Sequence, residues 1–277
     1  GLDRPEGSSD GWLNRLLQVM EGDRSGIAVA AGMPRSMIGD HPVSTWSPVE
    51  LGAVDDAYLD HLHLLYRSDR RLFNRFEAAL QQRDLTAEAG MADGMDGEGG
   101  MQRPGRPGTD VASLFRAAAR LIRPETGPNV AALELSGWDT HANQGLAGGA
   151  LDRLLGRLAE GLVAFRDEME SAWANTTVVV MTEFGRTAQP NGTRGTDHGT
   201  AGAGFVIGPR IARSAVVADW PGLGDRDLYE GRDLTPTTDT RAVLKGIVTG
   251  AFDLTAAQAD RVFPGSEGVR GRIDLMA

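Results

Sequence analysis

The spacing of apolar residues in the first part of the chain predicts two helices and a short strand. Leucine and methionine recur at helical spacing over residues 11–20, where Asp10 is placed to cap the helix and Gly22 to end it. Residues 26–31 are small and apolar, which predicts a buried strand. A second helical pattern covers residues 48–80, and the prolines before it indicate a loop.

The pattern after residue 110 determines the predicted fold class. Strands are predicted over residues 129–135, 176–182 and 204–208. The apolar positions of residues 151–173 form one face of a long helix. Strand, helix, strand at this spacing is typical of a βαβ unit, whose strands are parallel. We therefore predict an α/β fold: a mainly parallel sheet of these three strands, flanked by helices, in a single domain over residues 1–277.

One segment carries no apolar periodicity. Residues 84–109 are rich in Gly, Met, Asp and Pro, so they cannot offset their ordering entropy by burying apolar surface. The composition predicts a mobile, solvated loop. A lid over a site is the alternative.

The composition excludes several classes of protein. No apolar run approaches the roughly 20 residues of a membrane-spanning helix, so no membrane span is expected. The formal net charge is -10 and Lys245 is the only lysine, which argues against a protein that binds nucleic acid through its phosphates. The absence of cysteine excludes disulfides and thiolate metal sites.

Candidate metal ligands follow two of the predicted strands. Asp139 and His141 come after the first strand, and because side chains alternate along an extended chain, both should point to one side. Ligands of α/β sheets bind beyond the carboxyl ends of the parallel strands. A carboxylate and an imidazole at that edge are suited to share a divalent ion.

The second strand and the loop after it add further polar groups. Glu183 and Arg186 follow the strand, and Asp197 and His198 lie in the glycine-rich loop. Their convergence with the first pair favours a metal site. Taken singly, each has a structural alternative, such as a turn hydrogen bond for Asp139 or an arginine partner for Glu183. Two roles suit Arg186: clamping an oxyanion or orienting a carboxylate.

Five sequence blocks resemble those of a bacterial family, the domain of unknown function numbered 1501. Three of them carry the candidate site residues: Gly-Trp-Asp-Thr-His (137–141), Thr-Glu-Phe-Gly-Arg-Thr (182–187) and Gly-Thr-Asp-His-Gly (195–199). Residues 10–15 and 238–244 are similar to its flanking blocks. The five blocks keep their order and cover nearly all of the chain.

The resemblance implies an alkaline phosphatase-like fold, because that family resembles the alkaline phosphatase and sulfatase superfamily. Superfamily members hydrolyse or transfer phosphate and sulfate esters at a metal site. By resemblance, Asp139, His141 and His198 bind one divalent ion (zinc, calcium or magnesium), and Glu183 stands where the superfamily has an aspartate ligand. Twin-arginine export, and so a periplasmic or extracellular location, is also implied.

Two departures from the superfamily pattern bear on the chemistry. Phe184 replaces a histidine, so a second metal would lack a ligand, and we expect the phenyl ring to point away from the pocket. The superfamily's first strand, with an aspartate ligand and the nucleophile, is expected before Asp10. The chain is therefore expected to be N-terminally incomplete or to dispense with a nucleophile.

Residues and resemblance together predict an exported metal-dependent hydrolase of phosphate or sulfate esters, acting on a small-molecule or glycan substrate. In this hypothesis the ion polarises the ester oxygen and Arg186 neutralises developing charge. Glu183 is the other catalytic candidate, and it either joins the metal ligands or accepts a hydrogen bond from one. The alternative is a catalytically degenerate binding or assembly protein of the cell envelope.

Overall fold

The structure is a computed structural model that describes most of the chain, in two compact units. The described residues are 10–22, 24–30, 32–46, 56–70, 72–74, 76–77, 80 and 111–277. The first unit lies within Gly1–Glu134 and Gly161–Glu170, and the second comprises Leu135–Glu160 and Ser171–Ala277. The predicted loop over residues 84–109 lies outside the described residues.

A small parallel sheet forms the centre of the first unit. Strand β1 (Gly26–Val29) lies between β2 (Val43–Trp46) and β3 (Val130–Leu133), and both neighbours run parallel to it. All four residues of β1 are buried. Their small apolar side chains suit a central strand that is covered on both faces, which confirms the predicted strand and the α/β class at this level.

Among the described residues, the first unit also contains three helices. They are α1 (Trp12–Val19), α2 (Asp56–Tyr66) and α3 (Val111–Ile122). The predicted helix over residues 48–80 is interrupted by a turn at residues 67–69, and helical residues resume at 70. The buried apolar side chains include Leu16, Leu17, Ile27, Val29, Phe115 and Ala118.

A buried amide fastens α1 to the loop that follows β1. Asn14 is fully buried and donates hydrogen bonds to the carbonyls of Met37 (3.0 Å) and His41 (2.9 Å). Its side-chain oxygen accepts from the amide of His41 at 3.0 Å and from Gln18 at 2.8 Å. All four bonding positions of the amide are therefore satisfied. Gly11, rather than the predicted Asp10, stands at the cap position of α1.

The long helix α4 spans Ala150–Met169, and its residues up to Glu160 belong to the second unit. This unit also contains two antiparallel strand pairs and two closing helices. Strand β4 (Val178–Val180) pairs with β7 (Phe205–Ile207), and β5 (Gly185–Arg186) pairs with β6 (His198–Gly199). The closing helices are α5 (Thr240–Phe252) and α6 (Ala256–Val262).

The predicted sheet arrangement is wrong. Strand β3 pairs with β1, whereas β4 and β7 form a separate antiparallel pair, so the strands over 129–135, 176–182 and 204–208 do not share a parallel sheet. Parallel neighbours need a long crossover, which is usually a helix. The connection from β4 to β7 contains no helix, and the chain returns antiparallel.

The only lysine of the chain is buried between the closing helices. The Lys245 ammonium donates to the Asp260 carboxylate and to the carbonyls of Ser266 (2.5 Å) and Val269 (3.2 Å). Only 4% of the lysine is exposed. Because an ammonium has three protons and each has an oxygen partner, this buried charge is satisfied.

Candidate metal centre

A loop and a short hairpin of the second unit bring three candidate ligands together. Asp139 and His141 lie two residues apart in the loop after Leu135, and His198 lies in β6 directly opposite Arg186 of β5. The Asp139 Oδ1 atom is 3.0 Å from His141 Nε2 and 2.9 Å from His198 Nε2. The predicted convergence of Asp139, His141 and His198 is thus present.

The geometry of this triad suits a metal ion. One ligand atom from each of its three residues lies within 4.8 Å of the others. About half of each side chain is exposed: 52% for Asp139, 46% for His141 and 52% for His198. That exposure leaves room for a further ligand beside the three protein atoms.

His141 is placed between two carboxylates. Its Nδ1 lies 3.1 Å from Asp197 Oδ1, while its Nε2 faces Asp139. Carboxylate oxygens on both sides of the ring place negative charge where a cation would bind, and an imidazole nitrogen without a proton can act as a ligand beside them.

Hydrogen bonds hold both carboxyl groups in their ionised form. The hydrogen bond with His198, supported by the charges of His141 and Arg186, lowers the pKa of Asp139 below its ordinary value. The pKa of Asp197 is also lowered, first by the Asn191 side-chain hydrogen bond and then by that of His141. Anionic oxygens at these positions are what a cation requires.

Arg186 is bonded to the site's own groups. One terminal nitrogen donates to Asp139 Oδ1 (2.9 Å) and to the Trp138 carbonyl (2.7 Å), and the other donates to the Thr196 carbonyl (2.7 Å). These contacts match the orienting role that the sequence allows for this arginine. The role of oxyanion clamp stays a prediction.

The sequence does not single out Asn191, although it holds the loop of His141 in place. Its amide donates to the His141 carbonyl (2.9 Å) and to Asp197 (2.8 Å), and the Thr193 hydroxyl donates to the same carbonyl at 2.7 Å. A Cβ at Gly195 would lie only 2.2 Å from the carbonyl carbon of His141. The Asn-Gly-Thr turn and this glycine are the sequence signals for that close approach.

Comparison with known proteins identifies the family but no function. The family model described as protein of unknown function (DUF1501) matches residues 4–263. The chain belongs to the DUF1501 family. No curated protein and no solved structure matches it.

In this DUF1501 chain, Glu183 does not join the triad. The residue is exposed, and among the described residues its carboxylate neither belongs to the ligand group nor accepts a hydrogen bond from a ligand. The ring of Phe184, the next residue, is the side chain that contacts His198.

The prediction that Phe184 points away from the site is wrong. Its ring stacks on the imidazole of His198, with the ring centres 4.1 Å apart and the planes inclined by 15°. The Arg186 guanidinium carbon lies 4.9 Å from the centre of the same phenyl ring. The imidazole and the guanidinium offer flat surfaces that a phenyl ring can cover, so burial favours contact with the site rather than avoidance of it.

Proposed function

We propose that this DUF1501 protein is an exported metal-dependent hydrolase of phosphate or sulfate esters, with a periplasmic or extracellular location. The observation that carries the proposal is the convergence of Asp139, His141 and His198 on one point. Resemblance to the alkaline phosphatase and sulfatase superfamily supplies the reaction class. Among the described residues, no helix is both long and apolar enough to cross a membrane.

The donor set favours zinc among the three ions considered. Two imidazole nitrogens and one carboxylate oxygen suit zinc, whereas calcium and magnesium prefer sites made of oxygen atoms. Catalytic zinc sites commonly have three protein ligands and an open position. When bound, such an ion polarises an ester oxygen and lowers the pKa of water.

The protein's own groups prepare the site for that ion. Asp197 accepts the proton of His141 Nδ1, which leaves the Nε2 lone pair directed at Asp139 and His198. Arg186 holds Asp139 by donating to its Oδ1, and is itself held by the Trp138 and Thr196 carbonyls. Glu183 remains our second catalytic candidate, as an exposed carboxylate one residue before the stacked Phe184.

A specific observation favours the alternative, a binding or assembly protein of the cell envelope. The guanidinium of Arg186 already makes three hydrogen bonds within the site, and Asp139 already has close partners in Arg186 and the two histidines. A network of this kind can hold the loops together without turnover. The alternative therefore predicts a stable site without hydrolysis of phosphate or sulfate esters.

Zinc affinity and ester turnover, measured on the same preparations, separate the two candidates. We expect zinc-dependent hydrolysis of 4-nitrophenyl phosphate or 4-nitrophenyl sulfate. His198→Ala should weaken zinc binding by at least about 100-fold, since losing a ligand costs more than losing a supporting group. His61→Ala, which removes an exposed imidazole from α2, is the matched control and should behave like the parent.

Each outcome of that experiment has a defined meaning. Zinc binding that depends on His198, without turnover of either ester, would favour the binding protein. Zinc binding that is equal in the parent and in His198→Ala would contradict the metal centre itself.

A further inference from the structure

The two histidines of the triad are held in different ways. His141 has a carboxylate beside each ring nitrogen: it is hydrogen-bonded to Asp197 at Nδ1, and its Nε2 lies 3.0 Å from Asp139. His198 has a polar partner only at Nε2, where Asp139 lies 2.9 Å away. In the part of the chain that the structure describes, no group bonds to its Nδ1. One hydrogen bond fixes a distance but leaves the ring free to rotate about that contact.

Phe184 supplies the missing restraint. Its ring lies 4.1 Å from that of His198 and is inclined by only 15°, so the two rings are stacked face to face. A stacked neighbour resists rotation of the imidazole out of its plane, which a hydrogen bond at Nε2 alone does not. The phenyl ring thus does for His198 what the Asp197 carboxylate does for His141.

Phe184 is itself held by its neighbours. It precedes Arg186 by two residues, so both side chains lie on one side of the extended chain. The Arg186 carbon Cζ is 4.9 Å from the phenyl centre, a distance typical of a cation–π contact. Because Arg186 is bonded to the carbonyls of Trp138 and Thr196, the phenyl ring rests against a group that cannot easily move.

We propose that Phe184 is a positioning residue that fixes the ring plane of His198, so that Nε2 faces the ion position beside Asp139. The inference rests on the proposed metal centre and extends it. It predicts that an aromatic side chain, rather than any apolar one of similar size, is needed at position 184.

Zinc affinity of Phe184→Leu and Phe184→Tyr tests this requirement. Leucine keeps apolar bulk but removes the stacking face, and we expect about three- to tenfold weaker zinc binding, the range of one aromatic stacking contact. Tyrosine keeps the face and should restore the parent affinity. Phe205→Leu, a half-exposed phenylalanine of β7, is the matched control and should leave zinc affinity unchanged.

Two spectroscopic readouts separate positioning from a general loss of structure. The visible spectrum of bound Co²⁺ should change in Phe184→Leu and be retained in Phe184→Tyr, because it reports ligand geometry. In metal-free parent protein, the ring protons of His198 should be shifted upfield by the phenyl ring at 4.1 Å, and more strongly than those of His141, whose ring centre lies 4.9 Å from the smaller imidazole ring of His198. This second measurement needs no variant, so it holds even if Phe184→Leu fails to fold.

Two results would overturn the inference. One is parent-like zinc affinity together with an unchanged Co²⁺ spectrum in Phe184→Leu. The other is the absence of an upfield shift at His198. Failure of the metal centre is distinct, because then neither the parent nor Phe184→Tyr would bind zinc, whatever the histidine proton shifts.

Discussion

The second unit contains two clusters of charged side chains that are organised in opposite ways. Lys245 is 4% exposed, and each of its three protons has an oxygen partner. In the triad of Asp139, His141 and His198, about half of each side chain is exposed, and His141 lies between the carboxylates of Asp139 and Asp197. A satisfied buried cluster holds a fold together, whereas an exposed cluster with surplus lone pairs is suited to bind a cation.

The largest effect on stability is expected at the buried cluster. Lys245→Met removes the cation and leaves the Asp260 carboxylate and two carbonyls without their donor. We expect a loss of about 3 kcal/mol in the free energy of unfolding. This is the lower end of the range for breaking a buried ion pair, because Asp260 is partly exposed. Urea denaturation measures it. A loss below about 1 kcal/mol would show that the cluster is not structural.

A somewhat smaller loss is expected at Asn14 in the first unit. Asn14→Ala leaves the His41 amide and the carbonyls of Met37 and His41 without their partner. Leaving these buried polar groups unsatisfied should lower the free energy of unfolding by about 2 kcal/mol in total, because some of them regain a hydrogen bond to water. Asn14→Asp is the matched variant, because it keeps the size of the side chain but replaces the amide NH2 group, which donates two hydrogen bonds, with a carboxylate oxygen. Urea denaturation of both variants should show a loss, and parent-like stability in both would contradict the buried clamp.

A helix cap gives a third, smaller effect that depends on pH. Asp239 accepts a hydrogen bond from the Arg241 amide at 2.8 Å, and the Arg241 side chain is the main cause that lowers the pKa of this carboxyl. Asp239→Ala should cost about 1 kcal/mol near neutral pH. Because the folded-state pKa is lowered, the contribution of Asp239 is present above the unfolded-state value of about 3.9 and is lost as the pH falls through the folded-state value.

Thermal unfolding of the parent and Asp239→Ala at several pH values measures this dependence. The difference between them should be constant near neutral pH and shrink below about pH 4. A difference that grows on acidification would mean that the sign of the pKa shift is wrong.

The smallest effect on stability is expected at the triad. Asp139→Asn removes a charge that is about half exposed, and we expect almost no change in the free energy of unfolding. Zinc affinity should nevertheless fall by at least about tenfold, because a neutral amide is a poor ligand. Urea denaturation and zinc titration of the same variant measure the two quantities. Loss of stability without loss of zinc affinity would reverse the comparison between the two clusters.

The sequence predicts the triad better than the sheet because different interactions determine them. Asp139 and His141 are two residues apart, so their closeness depends on the local backbone, which makes three-residue turns over residues 138–141, and not on the surrounding sheet topology. A β-branched run such as residues 176–182 indicates a strand but does not specify its partner or direction. The antiparallel pairing of β4 with β7 depends on a connection whose path the pattern does not reveal.

The exchange of roles between Glu183 and Phe184 has a similar cause. A shift of one residue in strand register moves every side chain to the other face. The pairing of Arg186 with His198 sets the register of the hairpin, and the ring of Phe184, two residues before Arg186, contacts the imidazole. The residue types alone favour the carboxylate of Glu183 as the metal-facing group and do not reveal this register.

X-ray absorption at the zinc edge of the zinc-loaded chain tests the central claim most directly. The account predicts one zinc ion per chain with nitrogen and oxygen ligands at about 2.0–2.2 Å. It also predicts outer-shell scattering from two imidazole rings, reduced to one in His198→Ala. A bound zinc without imidazole scattering, or with the same scattering in His198→Ala, would contradict a centre formed by Asp139, His141 and His198.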